Sequence, residues 1–96
     1  DVVHGGLIAT MMDEIMGKWL WDHGFTAMTA EMTVRYSAAV PIGAELTIEG
    51  KMVSQKRRLL EMAASVTLPD GTVAARARAK FLKVEPAATP EKEGMG

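Results

Sequence analysis

The apolar residues of this chain change their spacing once, and this change constrains the fold more than any other feature. Between residues 6 and 20 they recur every four positions in two adjacent rows, which together cover a broad arc of a helix. The rows are Leu7, Met11, Ile15, Trp19 and Ile8, Met12, Met16, Leu20. From residue 28 onward the apolar period is two, which is typical of half-buried strands. The pattern predicts a helix from Gly6 to about Leu20 that packs against a wide surface such as a sheet.

Four stretches of alternating apolar and polar residues follow the predicted helix. They lie at residues 28–38, 44–53, 58–68 and 73–84. Turn-forming residues separate them, including Pro41 and the Pro-Asp-Gly-Thr run at residues 69–72. We interpret the stretches as the strands of an antiparallel meander. One helix covering one alternating apolar face of a sheet is a stable α+β arrangement.

The alternation also predicts which residues face the core and where the domain ends. In the first strand it places Met28, Met32 and Val34 on the apolar face and Thr29 on the opposite face. The composition changes after residue 85 to Pro, Ala, Glu, Lys and Gly without a period. We therefore expect one domain over residues 1–85 and a disordered tail over residues 86–96.

The start of the helix carries two glycines, and a carboxylate lies in its middle. Gly5 and Gly6 let a ligand approach the backbone closely, and the first helical N–H groups have no acceptors inside the helix. Such a start is suited to bind a carbonyl or anionic oxygen. Asp13 falls at the edge of the apolar arc, with Ala9 one turn before it and Gly17 one turn after it. These small neighbours leave room around the carboxylate.

Two other polar residues of this region have plain interpretations. Glu14 lies on the polar side of the helix, where Lys18 follows four residues later in the favourable order for an ion pair. His4 is compatible with a general acid, but a histidine just before a helix more often fixes the loop by hydrogen bonds.

Composition and charge exclude several classes of protein. The chain has 96 residues, a formal net charge of −1 and no cysteine. The charge argues against a nucleic-acid partner, and the lack of cysteine excludes a thiolate nucleophile. No apolar run approaches the roughly 18 residues that span a bilayer, and no signal peptide is evident. We expect a cytoplasmic protein without a membrane partner, and nothing in the sequence indicates a metal or cofactor.

Three features of the sequence together resemble a known family. They are the run His4-Gly5-Gly6, the aspartate nine residues after the histidine, and the strand of residues 28–36 leading to Pro41. They are similar to the hotdog-fold acyl-CoA thioesterases, in the branch of the phenylacetic-acid-pathway and 4-hydroxybenzoyl-CoA thioesterases that carry an aspartate on the helix. The resemblance covers about residues 2–84. It implies a curved antiparallel sheet wrapped around one long helix, an acyl-CoA substrate, and a homodimer or homotetramer.

The resemblance also implies roles for single residues. Asp13 matches the catalytic carboxylate of the family, and Gly5 matches the residue whose backbone N–H polarises the thioester carbonyl. Thr29 matches a strand hydroxyl that helps to orient the attacking water or the carboxylate. Relatives have a further strand and loop before the helix, often with an Asn or Gln that faces the substrate carbonyl. This sequence contains no residues there, so relative to the family it is incomplete at its N-terminus.

A second group of residues is predicted to bind the substrate. His4 and Gly6 flank the amide of Gly5, and the N–H of Gly6 is a further candidate donor to the carbonyl. Arg57, Arg58 and Lys80 are candidates for the phosphates of coenzyme A. A solvated hairpin tip and sheet face explain these three cations equally well.

The helical rise leads to a hypothesis about assembly. Gly5 and Asp13 are eight residues apart, or roughly 12 Å at 1.5 Å per residue, which is too far to act on one carbonyl group. We therefore expect a homodimer in which Gly5 of one protomer faces Asp13 of another. Asp13 is then a general base or a nucleophile. The alternative is a protein that binds acyl-CoA without hydrolysing it, and a dehydratase or hydratase fits the pattern less well.

Overall fold

The computed structural model describes residues 2–84, which form one helix followed by four strands. The elements are α1 (Gly5–Asp22), β1 (Ala27–Tyr36), β2 (Thr47–Lys56), β3 (Leu59–Thr67) and β4 (Val73–Lys83). The predicted helix and strands are all present, and their bounds shift by up to about three residues. The predicted tail at residues 86–96 lies outside the described residues.

The four strands form one antiparallel sheet in the order β1-β4-β3-β2. The predicted meander is therefore correct for β2, β3 and β4 and wrong for β1, which pairs with β4 instead of β2. The physical reason lies in the connections. β2 and β3 are joined by the two-residue turn Arg57-Arg58, whereas β1 and β2 are separated by residues 37–46, a stretch too long for a tight hairpin. Pro41 in that stretch forms an isolated bridge with Val2, near the start of the helix.

The helix packs on one face of the sheet and forms the core with it. Its fully buried row is Ile8, Met12, Met16 and Leu20. The buried side chains of the sheet below it are large on β3 apart from Ala64, and small on β4 apart from Phe81. The predicted arc is too broad on one side, because Leu7 is 54% exposed and Met11, Ile15 and Trp19 are only half-buried. The row that contains Ile8 therefore provides most of the helix burial.

A glycine in β2 lets the helix approach the sheet closely. A methyl group placed on Gly50 would lie 3.0 Å from Cγ2 of Ile15, so a side chain here would push the helix outward. On the solvent side of the helix, Lys18 pairs with Asp22 at 2.7 Å. The expected partner of Lys18 was Glu14, and this expectation is wrong because the lysine side chain extends toward the C-terminal end of the helix.

Candidate active site

The carboxylate of Asp13 is bonded to the first strand of the sheet. The hydroxyl of Thr29 donates a hydrogen bond to Oδ1 of Asp13 at 2.9 Å. Asp13 is half-buried in the middle of α1, and Thr29 lies near the start of β1. The structure thus brings together two of the three residues that the sequence suggested for catalysis. We call Asp13 and Thr29 together the carboxylate half of the site.

A β-bulge turns Thr29 toward the helix. The pairing of β1 with β4 shifts between Thr29 and Glu31, so that Ala30 has no partner of its own. Thr29 is opposite Phe81, a buried residue of the helix-covered face. The prediction that Thr29 lies on the face opposite Met32 is therefore wrong. For the same reason Met28, predicted on the apolar face, is 59% exposed.

The helix start is organised by His4, which is the N-cap residue of α1. Its Nδ1 accepts a hydrogen bond from the N–H of Gly6 at 2.9 Å, and its carbonyl accepts from the amides of Leu7 and Ile8. The Gly6 amide thus has a partner within the chain. Of the two glycine amides proposed as donors, only that of Gly5 has no acceptor among residues 2–84. The Gly5 amide is therefore the better candidate donor to the carbonyl, and the role of Gly6 in binding the substrate stays a prediction.

Tyr36 also contacts the helix start, and no pattern in the sequence predicts this contact. Its hydroxyl donates a hydrogen bond to the carbonyl oxygen of Gly5 at 2.6 Å. A methyl group placed on Gly5 would lie 3.3 Å from Cζ of the tyrosine ring, so the ring covers this glycine. Tyr36 is the last residue of β1. We call the Gly5 amide, with His4 and Tyr36 around it, the amide half of the site.

The two halves are separated along one continuous helix. Gly5 and Asp13 both belong to α1, so the helical rise keeps them roughly 12 Å apart along its axis. A shallow hollow of about 430 Å³ adjoins the amide half, and its walls include Gly5, Ile8 and Tyr36. A larger hollow of about 860 Å³ lies on the opposite face of the sheet and contains neither Gly5 nor Asp13. Neither hollow is lined by Asp13, and only the smaller one is lined by Gly5, so the smaller hollow is the one that adjoins a predicted site residue.

The predicted phosphate-binding cations do not converge on Asp13 within one chain. Arg57 occupies the β2–β3 turn with a positive φ of 54°, and the neighbouring Arg58 donates to the carbonyl of Lys83 at 3.3 Å. Lys80 points to the face of the sheet opposite the helix, where it lies 3.6 Å from Glu31. Their role in binding stays a prediction.

Residues 2–84 contain neither a cluster of metal ligands nor a helix that could cross a membrane. Across residues 2–84 no three side chains of the His, Asp or Glu type come together as metal ligands would. The helix α1 lacks the apolar length for a membrane crossing, and it is the one helix between residues 2 and 84.

Comparison with known proteins identifies the family. The sequence matches the family model of the thioesterase superfamily over residues 1–75, which is most of the chain. The chain belongs to the thioesterase superfamily. Among curated relatives, acyl-coenzyme A thioesterase THEM4 of Mus musculus is 28% identical over 85 residues. The match covers 88% of this chain and 36% of the mouse protein, so the chain spans about a third of that relative's length.

Solved structures of the thioesterase superfamily share the fold. A hypothetical thioesterase from Streptococcus pneumoniae, crystallised with coenzyme A, is 25% identical with a TM-score of 0.85, covering 91% of this chain and 70% of that one. The protein smu.793 from Streptococcus mutans, bound to acetyl CoA, is 28% identical with a TM-score of 0.83, covering 86% and 67%. The expected hotdog fold is confirmed. The pneumococcal protein was also crystallised with alanine in place of one threonine and, separately, of one aspartate.

Proposed function

We propose that this member of the thioesterase superfamily hydrolyses acyl-CoA thioesters to a free acid and coenzyme A. The observation that carries the proposal is the hydrogen bond of 2.9 Å from Thr29 to Asp13, which orients a half-buried carboxylate at a helix-to-strand contact. In the pneumococcal relative, the substituted aspartate and threonine lie sixteen positions apart with the aspartate first, which is the order and separation of Asp13 and Thr29. Relatives crystallised with coenzyme A and acetyl CoA support the class of substrate.

In this proposal Asp13 either activates the water that attacks the thioester carbonyl or attacks the carbonyl itself. As a general base it takes a proton from water, whose oxygen bonds to the carbonyl carbon; as a nucleophile it bonds to that carbon itself and forms an anhydride that water then opens. Both routes break the carbon–sulfur bond, and the departing thiolate of coenzyme A takes up a proton. Thr29 donates to one carboxylate oxygen, Oδ1, and leaves Oδ2 for the reaction.

The Gly5 amide polarises the thioester carbonyl in the same proposal. A preorganised donor directed at the developing oxyanion lowers the barrier, and the dipole of α1 adds to its effect. Because Gly5 and Asp13 of one helix are too far apart, the amide half of one protomer acts with the carboxylate half of another.

The free edge of β1 is the place where we propose that two protomers join. Within residues 2–84, β1 has a neighbouring strand on one side only. Its start touches the carboxylate half through Thr29, and its last residue, Tyr36, touches the amide half. Antiparallel pairing of two β1 strands about a two-fold axis places opposite halves side by side. This geometry gives two equivalent sites per dimer.

The acyl group and the phosphates of coenzyme A are the remaining parts of the substrate. The hollow at the amide half is lined mainly by apolar side chains, which suits medium, branched or aromatic acyl groups. Arg57 and Arg58 at the β2–β3 turn and Lys80 on β4 remain our candidates for the phosphates.

Thiol release from a panel of acyl-CoA esters tests the proposed activity. Acetyl-, hexanoyl- and phenylacetyl-CoA are given to the unmodified protein and to Asp13→Asn, which keeps the size of the side chain but is neither a base nor a nucleophile. We expect release by the unmodified protein and its loss in the variant. If both proteins bind the esters and neither releases thiol, the chain is an acyl-CoA-binding protein and the enzyme proposal is wrong.

Mixing two inactive variants tests the shared site. Asp13→Asn retains the amide half, whereas Gly5→Val retains the carboxylate half and covers the amide with a branched side chain. When the two are unfolded and refolded together in equal amounts, half of the dimers are mixed and each has one intact site, so activity returns to about a quarter of the unmodified level. Sites built within one chain would give no recovery.

A further inference from the structure

The peptide group between Gly5 and Gly6 is held at both ends by side chains. Its carbonyl oxygen accepts from the hydroxyl of Tyr36 at 2.6 Å, and its N–H donates to Nδ1 of His4 at 2.9 Å. The carbonyl and the N–H of a trans peptide point in opposite directions, so the two bonds together fix the plane of this peptide.

The preceding peptide, between His4 and Gly5, is held by the helix at its carbonyl end only. Its carbonyl accepts from the amides of Leu7 at 3.0 Å and Ile8 at 3.2 Å, so it points along the helix. The N–H of Gly5 belongs to the same planar group and therefore points away from the helix. The orientations of these two planes determine φ and ψ of Gly5.

A glycine at this position is otherwise free to change its backbone angles, because it has no Cβ. The Tyr36 ring removes part of that freedom, since it lies close enough that a methyl group on Gly5 would be 3.3 Å from Cζ. Tyr36 comes from β1, far from the helix in sequence, so this restraint depends on the sheet. Its ring and its hydroxyl act on the same glycine.

We infer that Tyr36 is a positioning residue for the Gly5 amide, an inference that rests on the proposed function. Tyr36 acts through Gly5: its hydroxyl bonds to the backbone and not to the substrate. A donor contributes to catalysis when it is directed in advance at the position where the oxyanion forms. Loss of the Tyr36 hydroxyl lets the Gly5–Gly6 peptide tilt. Because the two peptide planes meet at the Cα of Gly5, the tilt also moves the N–H end of the preceding peptide, which has no partner among residues 2–84, away from that position.

Tyr36→Phe tests the inference because it removes the hydroxyl and keeps the ring. We expect kcat to fall roughly 3- to 10-fold, the effect of one neutral hydrogen bond, with KM changed less than about twofold. Thr10→Val is the matched control. It also removes a hydroxyl that donates to a glycine carbonyl, at 2.9 Å, but that carbonyl belongs to Gly6 and to the next peptide along the helix.

A vibrational measurement separates positioning from folding. In the Asp13→Asn background, the carbonyl stretch of bound hexanoyl-CoA, isotopically labelled at the thioester carbonyl, reports how strongly the amide polarises it. We expect the stretch to rise when Tyr36→Phe is added and to stay unchanged with Thr10→Val. Circular dichroism and thermal unfolding show whether each variant is folded.

The outcomes distinguish this inference from the proposed function. If the unmodified protein releases no thiol from any ester, the proposed function fails and the inference fails with it. If it does release thiol, an unchanged kcat and an unchanged carbonyl stretch in Tyr36→Phe overturn the inference alone. A rise in KM without a fall in kcat also overturns it, because Tyr36 would then act only as part of the wall that binds the acyl group and not through the Gly5 amide.

Discussion

Replacing Thr29 by valine removes the one hydrogen bond that Asp13 accepts from a side chain within residues 2–84, and leaves the shape of the strand intact. Valine has the same branching as threonine and suits a strand, so β1 is retained. The bond of 2.9 Å joins a hydroxyl to a carboxylate. Such bonds to charged groups contribute about 1.5 to 3 kcal/mol. Because Thr29 is exposed and Asp13 only half-buried, we use the lower value, which corresponds to about a tenfold fall in kcat.

The assay follows free thiol with a chromogenic thiol reagent. The chain contains no cysteine, so all of the signal comes from released coenzyme A. Thr29→Ser keeps the hydroxyl and should retain most of the activity. Thr33→Val makes the same chemical change on the same strand, at a position that pairs with Arg78 on the face away from the helix, and should have no effect.

Two results would refute this reasoning about Thr29. If Thr29→Val is as active as the unmodified protein, the hydroxyl does not orient the reacting carboxylate. If Thr29→Ser is as impaired as Thr29→Val while Thr33→Val is normal, position 29 matters through its methyl group and not through its hydrogen bond.

The remaining predictions concern stability and titration. Gly50→Ala should destabilise the fold by about 1–3 kcal/mol, because the added methyl meets the stiff side chain of Ile15 at 3.0 Å, and urea unfolding measures the loss. Gly17→Ala, its control in the interior of α1 with open space around it, should stabilise by roughly 0.5–1 kcal/mol in the same assay. Hydrogen bonds from the backbone N–H and side chain of Thr72 hold the pKa of Asp70 below its ordinary value. The ionised carboxylate therefore stabilises the folded state at pH values above the pKa that Asp70 has when unfolded. This stabilisation is lost as the pH falls through the pKa of the folded state. An NMR titration of Asp70 should show the low pKa, and Thr72→Ala should raise it.

Local patterns in the sequence predicted most of the fold. The helix and the four strands follow from apolar periods that depend on residues a few positions apart, and the turns follow from proline and glycine. The pairing of β1 with β4 is different, because the first and last of the four strands meet without any local signal. The prediction that Lys18 pairs with Glu14 was wrong because Asp22 lies at the same distance along the helix on the other side of Lys18.

The site was predictable in part, for a related reason. The glycine pair and Asp13 stand out because helix propensity does not favour them, and the family resemblance added Thr29. Tyr36 has no such signal, because an aromatic residue in an alternating strand is ordinary. Its role appears only when β1 is placed beside the start of α1. His4 was predicted both as a substrate-binding residue and as a loop-fixing residue, and the N-cap bond to Gly6 agrees with the second interpretation.

The bulge at Ala30 explains how one strand supports both halves of the site. Thr29 and Tyr36 are seven positions apart, and in a regular strand an odd separation places two side chains on opposite faces. Here both face the helix, since Thr29 is opposite the buried Phe81 and Tyr36 is opposite the buried Ala75. The extra residue at the bulge shifts the alternation of side chains by one position, so Thr29 and Tyr36 lie on the same face. β1 therefore orients Asp13 through Thr29 and holds Gly5 through Tyr36. Because β1 also has the free edge, it can bring both groups next to a second copy of the chain.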